Sequence, residues 1–140
     1  MSNKIKIAII QTSIYWEATE KNLNKYDLLI EQVEEKTRII LFPEMFNTGF
    51  SMSVSKISET MQGQTVSWLK TKAVKKNAAI VASLAIKEGN KVFNRLIWAH
   101  PNGELDHYDK RHTFTLAGES KFYSKGKTNK VINFMGWKFL

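Results

Sequence analysis

Two short apolar runs, Lys4–Ile10 and Arg38–Phe42, flank a single amphipathic stretch, and this order constrains the fold more than any other feature of the 140-residue chain. Between the runs, Leu23, Tyr26, Leu29 or Ile30, and Val33 recur at helical spacing, with Glu and Lys on the opposite face. Thr19 stands where an N-cap is expected. Strand, helix, strand in this order predicts a βαβ unit whose two strands are parallel neighbours. Lys4–Ile10 passes from alternating to fully apolar, the pattern of a sheet-interior strand. The second run ends at Pro43, which has no N–H for the ladder and fixes φ as the chain leaves the sheet.

Residues 44–64 lack a sustained period and predict a long loop with a short helix near Val54–Glu59. Val66, Leu69 and Ala73 then mark a second helix whose outer face is Lys70, Lys72, Lys75 and Lys76. Ala79–Ile86 predicts a third, buried strand. Gly89-Asn90 turns it into Val92–Ala99, and Pro101-Asn102-Gly103 leads on to Leu105–Tyr108. Residues 109–130 are polar and irregular. Val131–Phe134 and Trp137–Leu140, around Met135-Gly136, predict a final hairpin. The expected class is therefore α/β with a mixed sheet. The last residues lie inside an apolar strand rather than a polar tail, so the chain is expected to be the front of a longer domain.

Composition removes several functions. The absence of cysteine excludes a disulfide scaffold, a zinc ribbon, an iron–sulfur site and a thiol nucleophile within these residues. No stretch approaches the ~18 consecutive apolar residues of a membrane span, and Met1–Lys4 leads straight into a strand rather than a secretory leader. A cytoplasmic protein without a membrane partner is expected. Charge is uneven: residues 1–60 sum to −1 and residues 61–140 to +9. Eighteen of the twenty-one cations are lysines scattered among acidic and apolar residues, with no aromatic platform between them. That pattern predicts a solvated basic surface and no nucleic-acid partner.

Three acidic or basic residues stand where chemistry is favoured. Glu44 follows the second strand directly, at the carboxyl edge where α/β sheets place ligands. Phe42, Met45 and Phe46 flank it, so partial desolvation of a general base is expected there. Lys110, in Tyr108-Asp109-Lys110-Arg111-His112, follows an apolar strand and could donate to an oxyanion. Glu119 sits behind Gly118, where backbone can approach a ligand closely. By position alone each also fits a purely structural role. His107, Asp109 and His112 offer metal-ligating types, but strand geometry sends 107 and 112 to opposite faces, and no metal is expected. No Gly-x-Ser-x-Gly elbow and no glycine-rich phosphate loop is present.

In order along the chain, Lys6-Ile7-Ala8-Ile9-Ile10-Gln11, Leu41-Phe42-Pro43-Glu44-Met45-Phe46-Asn47-Thr48-Gly49-Phe50, Asn94-Arg95-Leu96 and Tyr108-Asp109-Lys110-Arg111-His112 resemble the N-terminal half of the nitrilase superfamily, the carbon–nitrogen hydrolases. With Ala117-Gly118-Glu119-Ser120 downstream, the likeness is to the ω-amidase (2-oxoglutaramate amidase) branch. The resemblance implies an α-β-β-α sandwich, here incomplete, and a Glu-Lys-Cys triad. Glu44 matches the general base, Lys110 the lysine and Glu119 the second glutamate. It implies no cofactor and a small anionic amide substrate, which suits the positive charge over residues 107–130. Arg111, His112 and Tyr123 are the sequence neighbours from which a partner for the substrate's carboxylate could come.

The family's cysteine would follow the final hairpin. Residues 1–140 are therefore expected to form the N-terminal part of one hydrolase domain, truncated before the nucleophile and inactive alone. Half a sandwich leaves apolar strand edges open, so a homo-oligomer is expected. The alternative is a non-catalytic ligand-binding or interaction module that lacks the nucleophile by nature.

Overall fold

The computed structural model describes residues 4–140; the reading that Met1–Asn3 begin no leader falls outside the described residues. In chain order the elements are β1 (Ile7–Ile9), α1 (Thr19–Glu31), β2 (Ile39–Leu41), α2 (Val54–Ile57), α3 (Gln64–Lys76), β3 (Ala79–Glu88), β4 (Lys91–Ala99), β5 (Leu105–Asp109), β6 (Ile132–Phe134) and β7 (Trp137–Phe139). Two short 3₁₀ turns, Thr115–Ala117 and Glu119–Lys121, lie between β5 and β6.

Strands β1 to β5 form one sheet in sequential order. β1 pairs with β2, and β2 with β3, in parallel, with Ile7 opposite Ile39 and Leu41 opposite Val81. β3, β4 and β5 are antiparallel, as the two turn sequences predict. Two successive parallel crossovers in one direction, which connections of the same hand make, place α1 and α3 on the same face. There Leu23, Tyr26 and Ile30 of α1 and Val66, Leu69 and Ala73 of α3 pack on Ile40, Ile80, Ala82, Leu84 and Ile97 to make the main core.

The opposite face carries a smaller cluster of Ile39, Val81, Trp98 and Ile132. Here the β6–β7 hairpin lies on the sheet, with Phe139 and Phe134 packed on Trp98 at ring separations of 5.1 and 5.8 Å. The hairpin borders the residues before β1 but leaves the strand itself largely uncovered. Ile7 and Ile9, which alternate onto this face with Ile39 and Leu41, remain 41% and 75% exposed. The expectation of an interior first strand is thus corrected: β1 lies at the sheet edge, and only one of its faces is covered.

Two smaller expectations also change. Thr19 is the first helical residue of α1, and the N-cap position falls on Ala18, which has no side chain to cap with. Buried Asn22 compensates by bonding Tyr15 N–H, Tyr15 C=O and Asn47 C=O, so it ties the helix entry to the loop after β2. Lys72 is not a solvated cation: its ammonium lies 2.6 Å from Asp27, and its side chain is largely covered.

Candidate active site

Glu44 is delivered by a turn that the preceding sequence makes rigid. Pro43 ends β2, Met45 adopts φ +55°, and Met45 N–H donates 3.0 Å to Ser83 Oγ on β3. Phe42 and Phe46 on either side pack on Tyr26 at 4.6 and 5.1 Å, anchoring the segment in the core. Asn47 is buried and donates to Thr65 Oγ1. Gly49, at φ +78°, lies against the indole of Trp16, which a Cβ would meet at 2.8 Å. Residues 42–49 therefore form a scaffold from which the Glu44 side chain emerges. The flanking rings turn inward onto Tyr26, so the partial cover expected of them comes from elsewhere, and the Glu44 side chain is half exposed.

Lys110 continues the β5 ladder by one residue. Its N–H donates 3.0 Å to the Asn94 carbonyl on β4, and its carbonyl accepts from Gly126 N–H at 3.0 Å. The Gly126 segment is a backbone strap, since Ser124 N–H also donates to the Val92 carbonyl at 2.7 Å. A Cβ on Gly126 would fall 2.0 Å from the Asp109 carbonyl oxygen, so only glycine lets the strap lie this close. From that fixed backbone, Lys110 Nζ lies 2.8 Å from Glu44 Oε1, 3.1 Å from Glu119 Oε2 and 5.2 Å from the centre of the Phe50 ring. Partial burial alone would push the Lys110 ammonium down. The hydrogen bonds to Glu44 and Glu119 outweigh it and hold the group above the ordinary lysine value.

Glu119 is fully buried, an arrangement tolerable for a carboxylate only when its oxygens are matched by donors. Gly118, at φ +77°, turns the chain so that Glu119 points inward. Its Oε2 accepts from Phe114 N–H as well as Lys110, and its Oε1 accepts from Asn94 Nδ2 at 3.0 Å. All three residues singled out from sequence thus meet around one ammonium. They sit beside a cavity of about 320 Å³ whose lining includes Glu44, Asn94, Tyr108 and Lys110 over the apolar floor of Leu41, Val81 and Leu96.

Asn94 is the residue that reasoning from sequence did not place in the site. Its signals were a polar interruption, Asn94-Arg95, in the otherwise apolar β4 run, and its place in the Asn94-Arg95-Leu96 segment of the resemblance, which gave it no role. Arg95 faces the other way and is buried in a two-bond fork on Asp109, with Glu88 at 2.9 Å. Asp109 is thereby committed to a structural ion pair. Of the three neighbours considered for an anionic substrate, Tyr123 is buried and donates its hydroxyl to the Ser51 carbonyl at 2.7 Å. Burial, with the nearby charges of Glu119 and Glu44, raises its phenol well above the usual value. His112 is exposed, and Arg111 lines an adjacent cavity under the β6–β7 hairpin. Among the described residues no group of three or more His, Cys, Asp or Glu could hold a metal ion. Nor is any helix among them long and apolar enough to cross a membrane.

A carboxylate with one oxygen bonded and the other open can take up a proton, and an ammonium beside it at the same cavity can stabilise a developing oxyanion. The carbon–nitrogen hydrolase family model matches residues 6–138. Over 136 residues the chain is 34% identical to the omega-amidase YafV of Yersinia enterocolitica, covering 97% of this chain and 52% of that protein. It is 27% identical to the 2-oxoglutaramate amidase of Bacillus subtilis over 138 residues, covering 96% of this chain and 53% of that protein. Among solved structures, XC1258 from Xanthomonas campestris, a CN-hydrolase superfamily protein with an arsenic adduct in its active site, superposes with a TM-score of 0.92 at 36% identity. That match covers 96% of this chain and 51% of XC1258. The chain spans about half the length of the curated relatives it matches.

Proposed function

The chain belongs to the carbon–nitrogen hydrolase family, and from that premise we propose that residues 1–140 supply the acid–base half of an amidase active site, the N-terminal part of one hydrolase domain. The nucleophile of the proposed triad is a thiol from outside these residues, which contain no cysteine. Glu44 is the general base, Lys110 the oxyanion donor, and Glu119 the buried anchor of that lysine. The observation that carries this reading is the placement of Lys110 Nζ, 2.8 Å from Glu44 and 3.1 Å from Glu119, at the wall of an apolar-floored cavity.

The substrate class is the amide of a short carboxylic acid, of the 2-oxoglutaramate type. Glu44 takes the thiol proton as sulfur attacks the amide carbon, and Lys110 bonds the oxygen that becomes negative. Glu44 then returns its proton to the departing nitrogen, releasing ammonia and leaving a thioester. Water, deprotonated by Glu44, cleaves the thioester to the carboxylic acid and restores the thiol. No cofactor takes part in this scheme.

The test uses the complete enzyme and ammonia release from 2-oxoglutaramate. Glu44→Gln and Lys110→Ala are each expected to lower turnover by about 10³-fold or more, since members of such a unit fail together. Residues 1–140 alone are expected to release no ammonia. Near-normal turnover in either variant, or turnover by the 140-residue chain, would overturn the assignment.

A further inference from the structure

Asn94 breaks the apolar run of β4 and is 3% exposed, opposite Ala85 on β3. A buried side-chain amide destabilises a sheet interior unless its hydrogens meet acceptors. Both of these do. Nδ2 lies 2.7 Å from Glu44 Oε1 and 3.0 Å from Glu119 Oε1, while the Asn94 carbonyl accepts the Lys110 N–H. One residue therefore joins both carboxylates through its side chain and the backbone of Lys110 through its main chain.

The two oxygens of Glu44 are treated differently. Oε1 accepts from both Lys110 and Asn94, whereas Oε2 has no protein donor among the described residues. The ionisable groups around this carboxylate are Lys110, Glu119 and Tyr123, with Tyr108 on the wall of the same cavity. An amide has no titratable proton, so it can separate two carboxylates without adding charge or exchanging a proton with either. Aspartate there would set three negative charges against one ammonium, and lysine would add a second positive charge.

We infer that Asn94 is a positioning residue that holds Glu44 by Oε1 and so leaves Oε2 as the atom that accepts the proton. This rests on the reading of Glu44 as general base. The first arm of the test does not need turnover. Carboxyl ¹³C NMR of glutamate-labelled 140-residue chain follows the titration of Glu44 in the wild type, Asn94→Ala and the isosteric Asn94→Asp.

Glu44 is expected to bind its proton about threefold more tightly in Asn94→Ala, and about tenfold more tightly in Asn94→Asp, with amide spectra still dispersed. An unchanged Glu44 titration in either folded variant overturns the inference. In the complete enzyme, Asn94→Ala is expected to lower kcat about tenfold with KM little changed, and to displace the acidic limb of the kcat/KM profile upward by the same threefold. A drop in kcat with the limb unmoved would assign Asn94 a structural role only. Should the wild-type complete enzyme release no ammonia, the amidase reading fails, and the labelled titration still decides how Asn94 acts on Glu44.

Discussion

Replacing Lys110 with methionine separates what its ammonium does for the fold from what it does for Glu44. Methionine keeps an unbranched stem and removes the ammonium that lies over the Phe50 ring, with its charge and its hydrogen-bond donors. Glu119 is fully buried, so the variant leaves it with Asn94 and the Phe114 N–H but without its one cationic partner among the described residues. Unpairing a buried ion costs about 3–5 kcal/mol, and the two surviving donors bring this to about 2–3 kcal/mol. Glu44 is 50% exposed and water replaces the lost partner, so its share is under about 1 kcal/mol. The total corresponds to a fall of about 6–12 °C in Tm. In urea the midpoint falls by about 1–2 M. The assay is urea unfolding followed by tryptophan fluorescence for the wild type, Lys110→Met, Glu119→Gln, Glu44→Gln and the two double variants. Coupling of about 2 kcal/mol is expected between 110 and 119, and of under about 1 kcal/mol between 110 and 44. Equal destabilisation by Lys110→Met in the wild type and in Glu119→Gln would refute the reasoning, as would a larger coupling to Glu44.

Three further outcomes are expected. Hydrogen bonds from Lys56 and Ser51 hold the Glu17 carboxyl down to about 2 from 4.5, so its stabilising contribution is full above 4.5 and lost as pH falls toward 2. Glu17→Gln should flatten the dependence of Tm on pH across that window and leave it unchanged above; an identical acid slope would count against the lock. Ile7 and Ile9 on the uncovered face should make the 140-residue chain self-associate with concentration. Light scattering should show less association for Ile9→Lys, and a wild-type monomer at all concentrations would contradict this. Gly126→Ala forces a methyl onto the Asp109 carbonyl, displacing the strap that bonds Lys110, and should destabilise by about 3 kcal/mol or more; wild-type stability in urea would show that the strap lies elsewhere.

The architecture was legible because each element states its own period. Leu23, Tyr26 and Ile30 mark one helical stripe, Val66, Leu69 and Ala73 the other, and Gly89-Asn90 sets the hairpin that carries β4. What local pattern could not supply was the environment of each side chain. Ile7 and Ile9 look interior by composition, but exposure depends on how far the β6–β7 hairpin extends over the sheet. The rings beside Glu44 suggest that they partly cover it, yet both turn into the core on Tyr26 and leave the carboxylate half in water. Asn94 resembles a flaw in a strand until residues 44, 94, 110 and 119 are known to converge, a juxtaposition of four separate segments.

The charges that meet here also constrain how the proposed thiol could work. Glu44, Lys110 and Glu119 together carry one net negative charge, since one ammonium faces two carboxylates. A standing thiolate beside them would raise that to two in a cavity with an apolar floor, against both repulsion and desolvation. A thiol that surrenders its proton to Glu44 only as sulfur attacks keeps the net charge at minus one throughout, the oxyanion included. The oxyanion then forms within reach of the Lys110 ammonium, whose backbone is bonded to Asn94 on one side and Gly126 on the other and so needs no reorganisation to meet it. Glu119 is better suited to hold that ammonium than to take the proton, because it is fully buried with both oxygens bonded. Glu44, half exposed and with one oxygen open, is the carboxylate left to exchange it.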